Sequence, residues 1–296
     1  MSSESPPPFA QRMAVLFDPA QIMAMAIPYY IRACTEAVFQ RGQVLAPLTQ
    51  THRLRDEAFG RFWIAFSAPR EDQPPPSAGD EVAATPASSS DLIPPLLSTA
   101  SGVVLDIGPG TGTQMPLLRS PAISAIYGAE PCVGLHATLR AKAASEGLDA
   151  KYHILPCGAS AAELVPALQA AGVDQASGVF DTILCVRVLC SVPEMERTAR
   201  ELYALLKPGG RVLVTEHVVN PWQAAKGSLA ARVMQGVYML LGWWFFVGDC
   251  CLDRDTEGAL RAAADEDGGW ESMSLERSFW WSPLPYISGA LVKKSA

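Results

Sequence analysis

The chain has 296 residues, of which 49% are hydrophobic and 18% charged, so it is able to bury a sizeable core. Its formal net charge of −7 argues against a nucleic-acid partner held by neutralised phosphates. Its seven cysteines include no C-x-x-C pair, so no metal site is predicted. Their odd number and scattered positions favour reduced thiols in a cytoplasmic protein. The first residues lack the charged-then-apolar order of a signal peptide.

Helical patterns and a Pro-rich stretch divide the chain. Mixtures of apolar and charged residues typical of helices occupy residues 13–32 and 51–66. Residues 68–90 are rich in Pro, Ser and Ala, which predicts a linker or loop. We therefore expect an N-terminal helical extension or cap at residues 1–67, then this linker, then a second domain at residues 91–296.

Strand and helix patterns alternate through most of the second domain. The predicted strands are 103–107, 125–129, 152–155, 182–186 and 211–215, and the predicted helices are 91–100, 113–118, 133–146, 159–171 and 194–206. Strands separated by helices of this length favour βαβ units and a parallel sheet with helices on both faces. Two later strands, 271–277 and 289–293, are expected to pair antiparallel at one edge.

The longest uncharged run is VMQGVYMLLGWWFFVG at residues 233–248, within a predicted insertion at residues 221–260. It is shorter than the roughly 20 residues of a membrane span, and it contains Gln235 and two interior glycines. We expect a buried helix or a lid over an apolar pocket, with peripheral contact to a membrane surface as an alternative. No transmembrane span is predicted.

A glycine loop follows the first strand of the alternating region, in the sequence VVLDIGPGTGT. The loop consists of Gly108, Pro109, Gly110, Thr111 and Gly112. Its G-x-G-x-G spacing differs from the G-x-G-x-x-G of dinucleotide sites, and no lysine follows as in a P-loop. The spacing therefore disfavours both phosphate-binding interpretations, although a tight strand–helix turn alone can also demand glycines.

Acidic residues mark the ends of the first two strands of this region. Asp106 precedes the loop, where a carboxylate can orient the turn and reach a ligand ammonium group through water. Glu130 ends the second strand, where an acid can accept both hydroxyls of a ribose. The other ligand candidates at strand ends, near the crevice where open α/β sheets bind ligands, are Pro131, Gly158, Ala159, Val186 and Arg187.

The order VVLDIGPGTG, YGAEP, FDTILC and LLKPGGRVLVTEH resembles the class I S-adenosylmethionine-dependent methyltransferases over residues 100–218. The resemblance implies a Rossmann-like, seven-stranded α/β sheet, here with an N-terminal helical extension, and S-adenosylmethionine as the cofactor. It assigns the glycine loop to the methionine and ribose end of the cofactor and Glu130 to the ribose diol. Pro109 stands where Cys or Ser is common in that loop.

Downstream, VLCSVPEMER, TEHV, CCLDRDT and YISGALVKK resemble the methyltransferase-like group that includes animal alkyl-thiol S-methyltransferases. The pattern C-x-L-x-R-[DE]-[ST] at residues 250–256 is the most distinctive part. Those proteins start with a hydrophobic membrane anchor, whereas the Pro-punctuated N-terminal part here is similar to fungal methyltransferases of secondary metabolism, including N-methylating ones. The resemblances imply methylation of a small hydrophobic metabolite at a thiol or nitrogen. O-methylation and a non-catalytic cofactor-binding protein are the alternatives, and the glycine spacing disfavours a NAD-dependent oxidoreductase.

Methyl transfer from a sulfonium is an in-line displacement that needs an acceptor about 3–3.5 Å from the methyl and a site closed to water. A thiol needs little further help, whereas an amide or hydroxyl needs a base. His217 and Asp249 are the candidate bases, each with a purely structural role as the alternative. The cysteines near them are expected to be small core residues rather than nucleophiles: Cys190, Cys250 and Cys251. Aromatic residues in the insertion at 221–260 suggest an apolar or aromatic acceptor.

Overall fold

The computed structural model describes residues 7–68, 86–173 and 178–295 of the chain. The predicted linker falls largely on residues 69–85, which lie outside the described residues.

The N-terminal part is helical, as the sequence predicts. Its helices are α1 (Phe9–Ala14), α2 (Asp18–Thr35), α3 (Ala46–Thr49) and α4 (Thr51–Phe66). A 3₁₀ turn separates α1 from α2, and a π-helical turn at Glu36–Gln40 continues α2. Helices α2 and α4 pack side by side, with the rings of Tyr29 and Phe62 in edge contact at 6.0 Å.

Strands and helices alternate in the rest of the described chain. The strands are β1 (Gly102–Ile107), β2 (Ile123–Ala129), β3 (Tyr152–Leu155), β4 (Phe180–Val186), β5 (Leu206–His217), β6 (Ser272–Ser278) and β7 (Tyr286–Val292). The helices are α5 (Ile93–Leu97), α6 (His136–Ser145), α7 (Ala161–Ala170), α8 (Met195–Leu205), α9 (Leu229–Leu240), α10 (Trp243–Phe246) and α11 (Thr256–Ala262).

The strands form a seven-stranded sheet in the order β3-β2-β1-β4-β5-β7-β6. Strands β1 to β5 run parallel, and β7 pairs antiparallel with both β5 and β6. Strands β2 and β3 are added on one side of β1, and β4 and β5 are added on the other side. The change in strand order between β1 and β4 creates the crevice that open α/β sheets use for ligands. The sequence prediction of a Rossmann-like α/β sheet with an antiparallel edge pair is confirmed.

Both faces of the central sheet are buried, each against its own core cluster. Successive residues of a strand point to opposite faces and therefore belong to different clusters. Leu105, Ile183 and Val214 belong to a core cluster on one face that also takes in α8 and α11. Val104 and Leu184 belong to a second cluster on the other face, beneath α5 and α6. The continuous apolar runs of β1, β4 and β5 follow from burial on both sides.

The insertion after β5 packs against the N-terminal helices rather than against the sheet alone. Met23 of α2 shares a buried cluster with Tyr238, Trp243 and Val247, and the Tyr238 hydroxyl donates to the carbonyl of Leu16 at 2.9 Å. The insertion is also tied to the sheet by Gln235, which is fully buried on α9. Its side-chain amide donates to the carbonyls of Val218, Leu252 and Pro283, and its oxygen accepts from the backbone amide of Asn220.

The run 233–248 is neither wholly buried nor one helix. It is divided into α9 and α10 by Gly242, whose φ of +89° lies in the left-handed region. Apolar residues on its outer side are exposed, among them Val233, Leu240 and Trp244. By length and hydropathy, the helical segment Phe9–Gln40 is long and apolar enough to cross a membrane, a property that core helices of globular proteins share.

Several predicted helices are longer than the observed ones, and two of them differ in the type of element that forms. The helix expected at 113–118 is a 3₁₀ turn at Met115–Leu118, with a proline in its first turn. The helix expected at 194–206 ends at Leu205, because Leu206 pairs with Phe180 and begins β5. The KPGG sequence therefore lies inside β5 rather than closing the helix.

Candidate active site

The predicted ligand residues meet at one edge of the sheet. Parallel pairing aligns Ile107 at the end of β1 with Ala129 of β2 and Cys185 of β4, and Ala129 with Leu155 of β3. Val186 of β4 in turn pairs with Thr215 of β5. The segments that follow these strands therefore emerge side by side at the carboxyl edge.

The glycine loop has a backbone that other residues do not adopt readily. Gly108, Gly110 and Gly112 have φ values of +59°, +60° and +79°. A Cβ on Gly108 would lie 2.5 Å from the Val188 side chain, and one on Gly110 would lie 2.6 Å from the indole nitrogen of Trp63. The glycines are therefore required by both conformation and space.

Helix α4 covers this loop from the N-terminal side. Trp63 faces Gly110, and the Ser67 hydroxyl lies 2.8 Å from the hydroxyl of Thr111. Gly60 allows the helix to approach the segment after β2, since a Cβ there would lie 3.3 Å from the sulfur of Cys132. The N-terminal extension, which the sequence predicts as a cap, therefore forms one wall of the site.

Glu130 is buried at the end of β2 and holds the loop in place. Its carboxylate accepts from the backbone amides of Gly110 at 2.9 Å and Cys132 at 2.8 Å. Burial raises the pKa of Glu130, although both amides lower it. An acid fixed at this position also suits the ribose hydroxyls of a nucleoside.

Asp106 is buried beneath the loop and accepts from the hydroxyl of Tyr152 at 2.8 Å. Burial raises the pKa of Asp106 to about 7, and the neighbouring Glu130 adds to the rise while the Tyr152 hydroxyl opposes it. This environment lets Asp106 change charge near neutral pH.

The remaining predicted cofactor residues lie along the same edge with different exposures. Pro109 is half-buried and Pro131 is exposed. The Gly158 amide donates to Glu163 at 2.8 Å, and Ala159 is buried beside it. Val186 is half-buried at the end of β4. The structure thus brings these residues to the carboxyl edge, and their contacts with the cofactor stay a prediction.

Arg187 has an unusual conformation directly after β4. Its φ is +56°, which costs energy for a residue other than glycine, and its backbone amide donates to Thr215 at 2.9 Å. One guanidinium nitrogen donates to the hydroxyls of Ser89 and Ser90. Its Nε is buried and has no hydrogen-bond partner among residues 7–68, 86–173 and 178–295. A strained, partly unpaired cation at this edge is a candidate ligand-binding group.

His217 lies at the end of β5 with two cysteines around it. Its Nε2 is 3.1 Å from the sulfur of Cys250, and the donor atoms of Cys190, His217 and Cys250 all lie within 4.8 Å of one another. All three side chains are buried. The hydrogen bond with Cys250, together with burial, raises the pKa of Cys190 well above its usual range. The Nδ1 of His217 is also buried and has no partner in the described part of the chain.

Asp249 occupies a different environment from the other candidate base. It pairs with Arg55 of α4 at 2.5 Å, and half of its side chain is exposed. Arg55 also donates to the carbonyls of Phe245 and Trp244. This pairing ties α4 to the end of α10 and favours a structural role for Asp249 over that of a base.

The distinctive motif at residues 250–256 positions the loop after β4. The Cys251 amide donates to the carbonyl of Cys190, and Arg254 donates to the carbonyls of Leu189 and Val192. Asp255 caps α11 by accepting from the amide of Gly258. The motif thus holds Cys250 beside His217.

Sequence reasoning missed two parts of this site. Glu216 is fully buried, and its carboxylate accepts from the amides of Val188 and Leu189, which fixes the loop that carries Cys190. Trp63 closes over the glycine loop from another part of the chain. The acid before His217 in TEHV was a visible signal for the first. The sequence carried none for the second.

An apolar cavity lies within the N-terminal helical part. It has a volume of about 640 Å³ and lies between α2 and α4, lined by Met25, Pro28, Tyr29, Phe62 and Phe66 among others. Its neighbour Ser67 contacts Thr111 of the loop. Cavities of several hundred Å³ with mostly apolar walls are typical of small-molecule sites.

The strand order, the glycine loop at the end of β1 and the buried acid at the end of β2 are the features of the class I methyltransferase fold. Residues 82–269, more than half of the chain, match the family described as Methyltransferase domain. The chain belongs to this family.

Curated relatives include two kinds of methyltransferase. Thiol S-methyltransferase TMT1B of Homo sapiens is 33% identical over 123 residues, which cover 40% of this chain and 46% of that protein. Phosphatidylethanolamine N-methyltransferase of Cereibacter sphaeroides is 26% identical over 149 residues, covering 50% and 65%. The chain thus spans about half the length of the thiol methyltransferase it matches.

Among solved structures, the cyclase SpnF superposes with a TM-score of 0.53 and 16% identity, covering 82% of this chain and 97% of that one. This likeness shows the fold alone.

The residues at the carboxyl edge fit S-adenosylmethionine, the cofactor of this class. The glycine loop has a backbone conformation that favours glycine at three positions, and Glu130 offers a buried carboxylate. The cofactor supplies a methyl group on a positively charged sulfur. The chain has to bind it, orient the acceptor and exclude water.

Proposed function

We propose that this protein is an S-adenosylmethionine-dependent methyltransferase that transfers the methyl group to the thiol of a small, apolar metabolite. The observation that carries the proposal is the pair of buried, unpartnered nitrogens at the ends of β4 and β5, Arg187 Nε and His217 Nδ1, within the described residues. An Arg Nε always bears a proton, and a neutral imidazole bears one on Nδ1 in one of its tautomers. Two buried donors without partners favour an anionic acceptor atom.

A thiol is the acceptor that such donors activate without a base. A free thiol has a pKa near 8.5, so a positive field is sufficient to produce the reactive thiolate near neutral pH. An aliphatic hydroxyl requires a base instead. Among the described carboxylates near His217, Asp249 pairs with Arg55, whereas Oε1 of Glu216 accepts from two backbone amides and its Oε2 is buried without a partner in the described part of the chain. The ion pair with Arg55 leaves Asp249 poorly placed to accept a proton from an acceptor.

The cavity between α2 and α4 supports an apolar acceptor. Tyr29, Phe62 and Phe66 line it, and Ser67, which follows Phe66, contacts Thr111 of the loop that we assign to the cofactor. The similarity to a human thiol S-methyltransferase supports the same acceptor atom. The resemblance to fungal enzymes supports a metabolite of secondary metabolism, and the scattered thiols support a cytoplasmic location.

In this proposal the chain's residues have separate tasks. Glu130 and the glycine loop bind the cofactor. Arg187 and His217 hydrogen-bond to the acceptor sulfur and stabilise its anionic form. Helix α4, through Trp63, excludes water from the transferred methyl.

Three acceptors with one apolar skeleton test the acceptor atom: benzyl mercaptan, benzylamine and benzyl alcohol. Incubation with isotope-labelled S-adenosylmethionine, followed by mass spectrometry, should give the S-methyl product together with an equal amount of S-adenosylhomocysteine. Faster N- or O-methylation than S-methylation would refute the thiol assignment.

The variant Arg187→Gln tests the role of the donors. Turnover of benzyl mercaptan should fall at least about tenfold, the value of one lost charge-assisted hydrogen bond. Affinity for S-adenosylmethionine should stay within about twofold of the original value, because the cofactor loop is not altered. Arg200→Gln, at an exposed position on α8, is the matched control. Equal turnover in both variants would remove Arg187 from the mechanism.

A further inference from the structure

The cluster of Cys190, His217 and Cys250 has the composition and spacing of a metal site. In a tetrahedral zinc site with Zn–S near 2.3 Å and Zn–N near 2.0–2.1 Å, neighbouring donor atoms lie roughly 3.5–3.8 Å apart. The donor atoms of the cluster lie within 4.8 Å of one another, and Nε2 of His217 is 3.1 Å from the sulfur of Cys250. Side-chain shifts of about an ångström would bring them to coordination distance.

The backbone around these donors is already fixed. The segment that contains Cys190 is held by the carboxylate of Glu216. The backbone carbonyl of Cys190 accepts from the amide of Cys251, the residue after Cys250. His217 is held in β5 by its pairing with Tyr286 of β7. A preorganised set of donors from separate chain segments is what metal binding requires.

The donors also match the chemistry of a thiophilic ion. Two thiolates and a neutral imidazole balance the charge of a divalent cation, so the occupied cluster is neutral inside an apolar environment. The surrounding cluster of Met23, Tyr238, Trp243 and Leu252 is such an environment.

We propose that Cys190, His217 and Cys250 bind one thiophilic metal ion, for which Zn²⁺ is the probe, through the two sulfurs and Nε2. Three protein donors leave one position of a tetrahedral ion for water or another small donor. The spacing of cysteines and histidines along the sequence gave no sign of this site, because its three ligands come from separate segments of the chain.

The ion would also set the state of His217. Coordination through Nε2 leaves the imidazole proton on Nδ1, which is the nitrogen without a partner among the described residues. The bound cation makes this N–H a stronger donor toward an anionic acceptor. This second consequence rests on the proposed thiol methylation, whereas metal binding itself does not.

The test measures metal binding without reference to activity. Reduced, chelator-treated protein is titrated with Zn²⁺, and its metal content after gel filtration is measured by inductively coupled plasma mass spectrometry. We expect about one Zn²⁺ per chain. Replacement by Co²⁺ should give the thiolate-to-metal absorption of a tetrahedral, sulfur-containing site.

The variants Cys190→Ser and Cys250→Ser should each weaken Zn²⁺ binding at least about tenfold, since each removes one thiolate ligand. Cys251→Ser is the matched control, because the sulfur of Cys251 contacts the carbonyl of Asp249 and is not part of the cluster. Binding of S-adenosylmethionine verifies that each variant is folded, and His217→Gln provides a third test if a serine variant is not.

Zn²⁺ binding that the cluster variants leave unchanged would overturn the proposal, as would the absence of binding or a Cys190–Cys250 disulfide that persists under reducing conditions. The two proposals fail separately. Methylation of benzyl mercaptan without metal binding refutes only the metal site, and metal binding with methylation of the amine alone refutes only the thiol acceptor.

Discussion

The buried carboxyl group of Asp106 should make the stability of the protein depend on pH. Asp106 has its pKa raised by burial from the usual 3.8 to about 7. Between these pH values the folded state holds a proton that the unfolded state releases, so the free energy of unfolding falls as pH rises from about 4 to about 7. The shift from 3.8 to about 7 corresponds to about 4 kcal/mol at 1.36 kcal/mol per unit.

The variant Asp106→Asn removes this titration and keeps an oxygen that can accept from Tyr152. Near pH 4 the two proteins should be similarly stable, and above about pH 7 the variant should be more stable by up to about 4 kcal/mol. Urea unfolding of the cofactor-free proteins across this range measures the difference. Asp149→Asn, at an exposed position, is the control and should show no such trend. A difference between the Asp106 variant and the original protein that does not change with pH would refute the reasoning.

Three further predictions concern the cofactor site and the insertion. Glu130→Ala should weaken S-adenosylmethionine binding, measured by calorimetry, at least about tenfold, which is the cost of a lost charged hydrogen bond. The control Glu196→Ala, at an exposed position, should leave the affinity unchanged. Equal affinities of the two variants would remove Glu130 from the cofactor site. Gly110→Ala should lower the free energy of unfolding by more than Gly147→Ala does. Both glycines have positive φ, at a cost of about 1–2 kcal/mol for alanine, but only Gly110 has a side chain in the way, so equal losses would contradict the contact. Gln235→Leu should destabilise the protein by about 3 kcal/mol or more in urea, because it leaves several buried backbone groups unpaired, and a loss below about 1 kcal/mol would contradict that network.

The sheet was predictable because its pattern is local. Apolar runs such as those of β1 and β4 are bounded by turn residues, and their alternation with helical stretches indicates βαβ units and a parallel sheet. The observed β3, Tyr152–Leu155, coincides with the predicted strand, and α4 with the predicted helix at 51–66. Deviations occur where pairing overrides propensity, as at Leu206, which joins β5 instead of continuing α8.

The cofactor side of the site was predictable for a related reason. The residues that follow parallel strands must meet at one edge, so Gly108, Gly110 and Glu130 could be grouped from their positions alone. The sequence could not show that Trp63 covers the loop, because that contact joins segments with no common pattern.

The sequence by itself determined the class of sheet, the glycine loop and the acid at the end of β2, because each depends on short-range order along the chain. Only the tertiary structure decided the surroundings of the two candidate bases, with His217 buried between two thiols and Asp249 paired with Arg55. Those surroundings depend on packing between the N-terminal helices, the insertion and the sheet. Burial and partners therefore separated two residues that the sequence presented as equivalent.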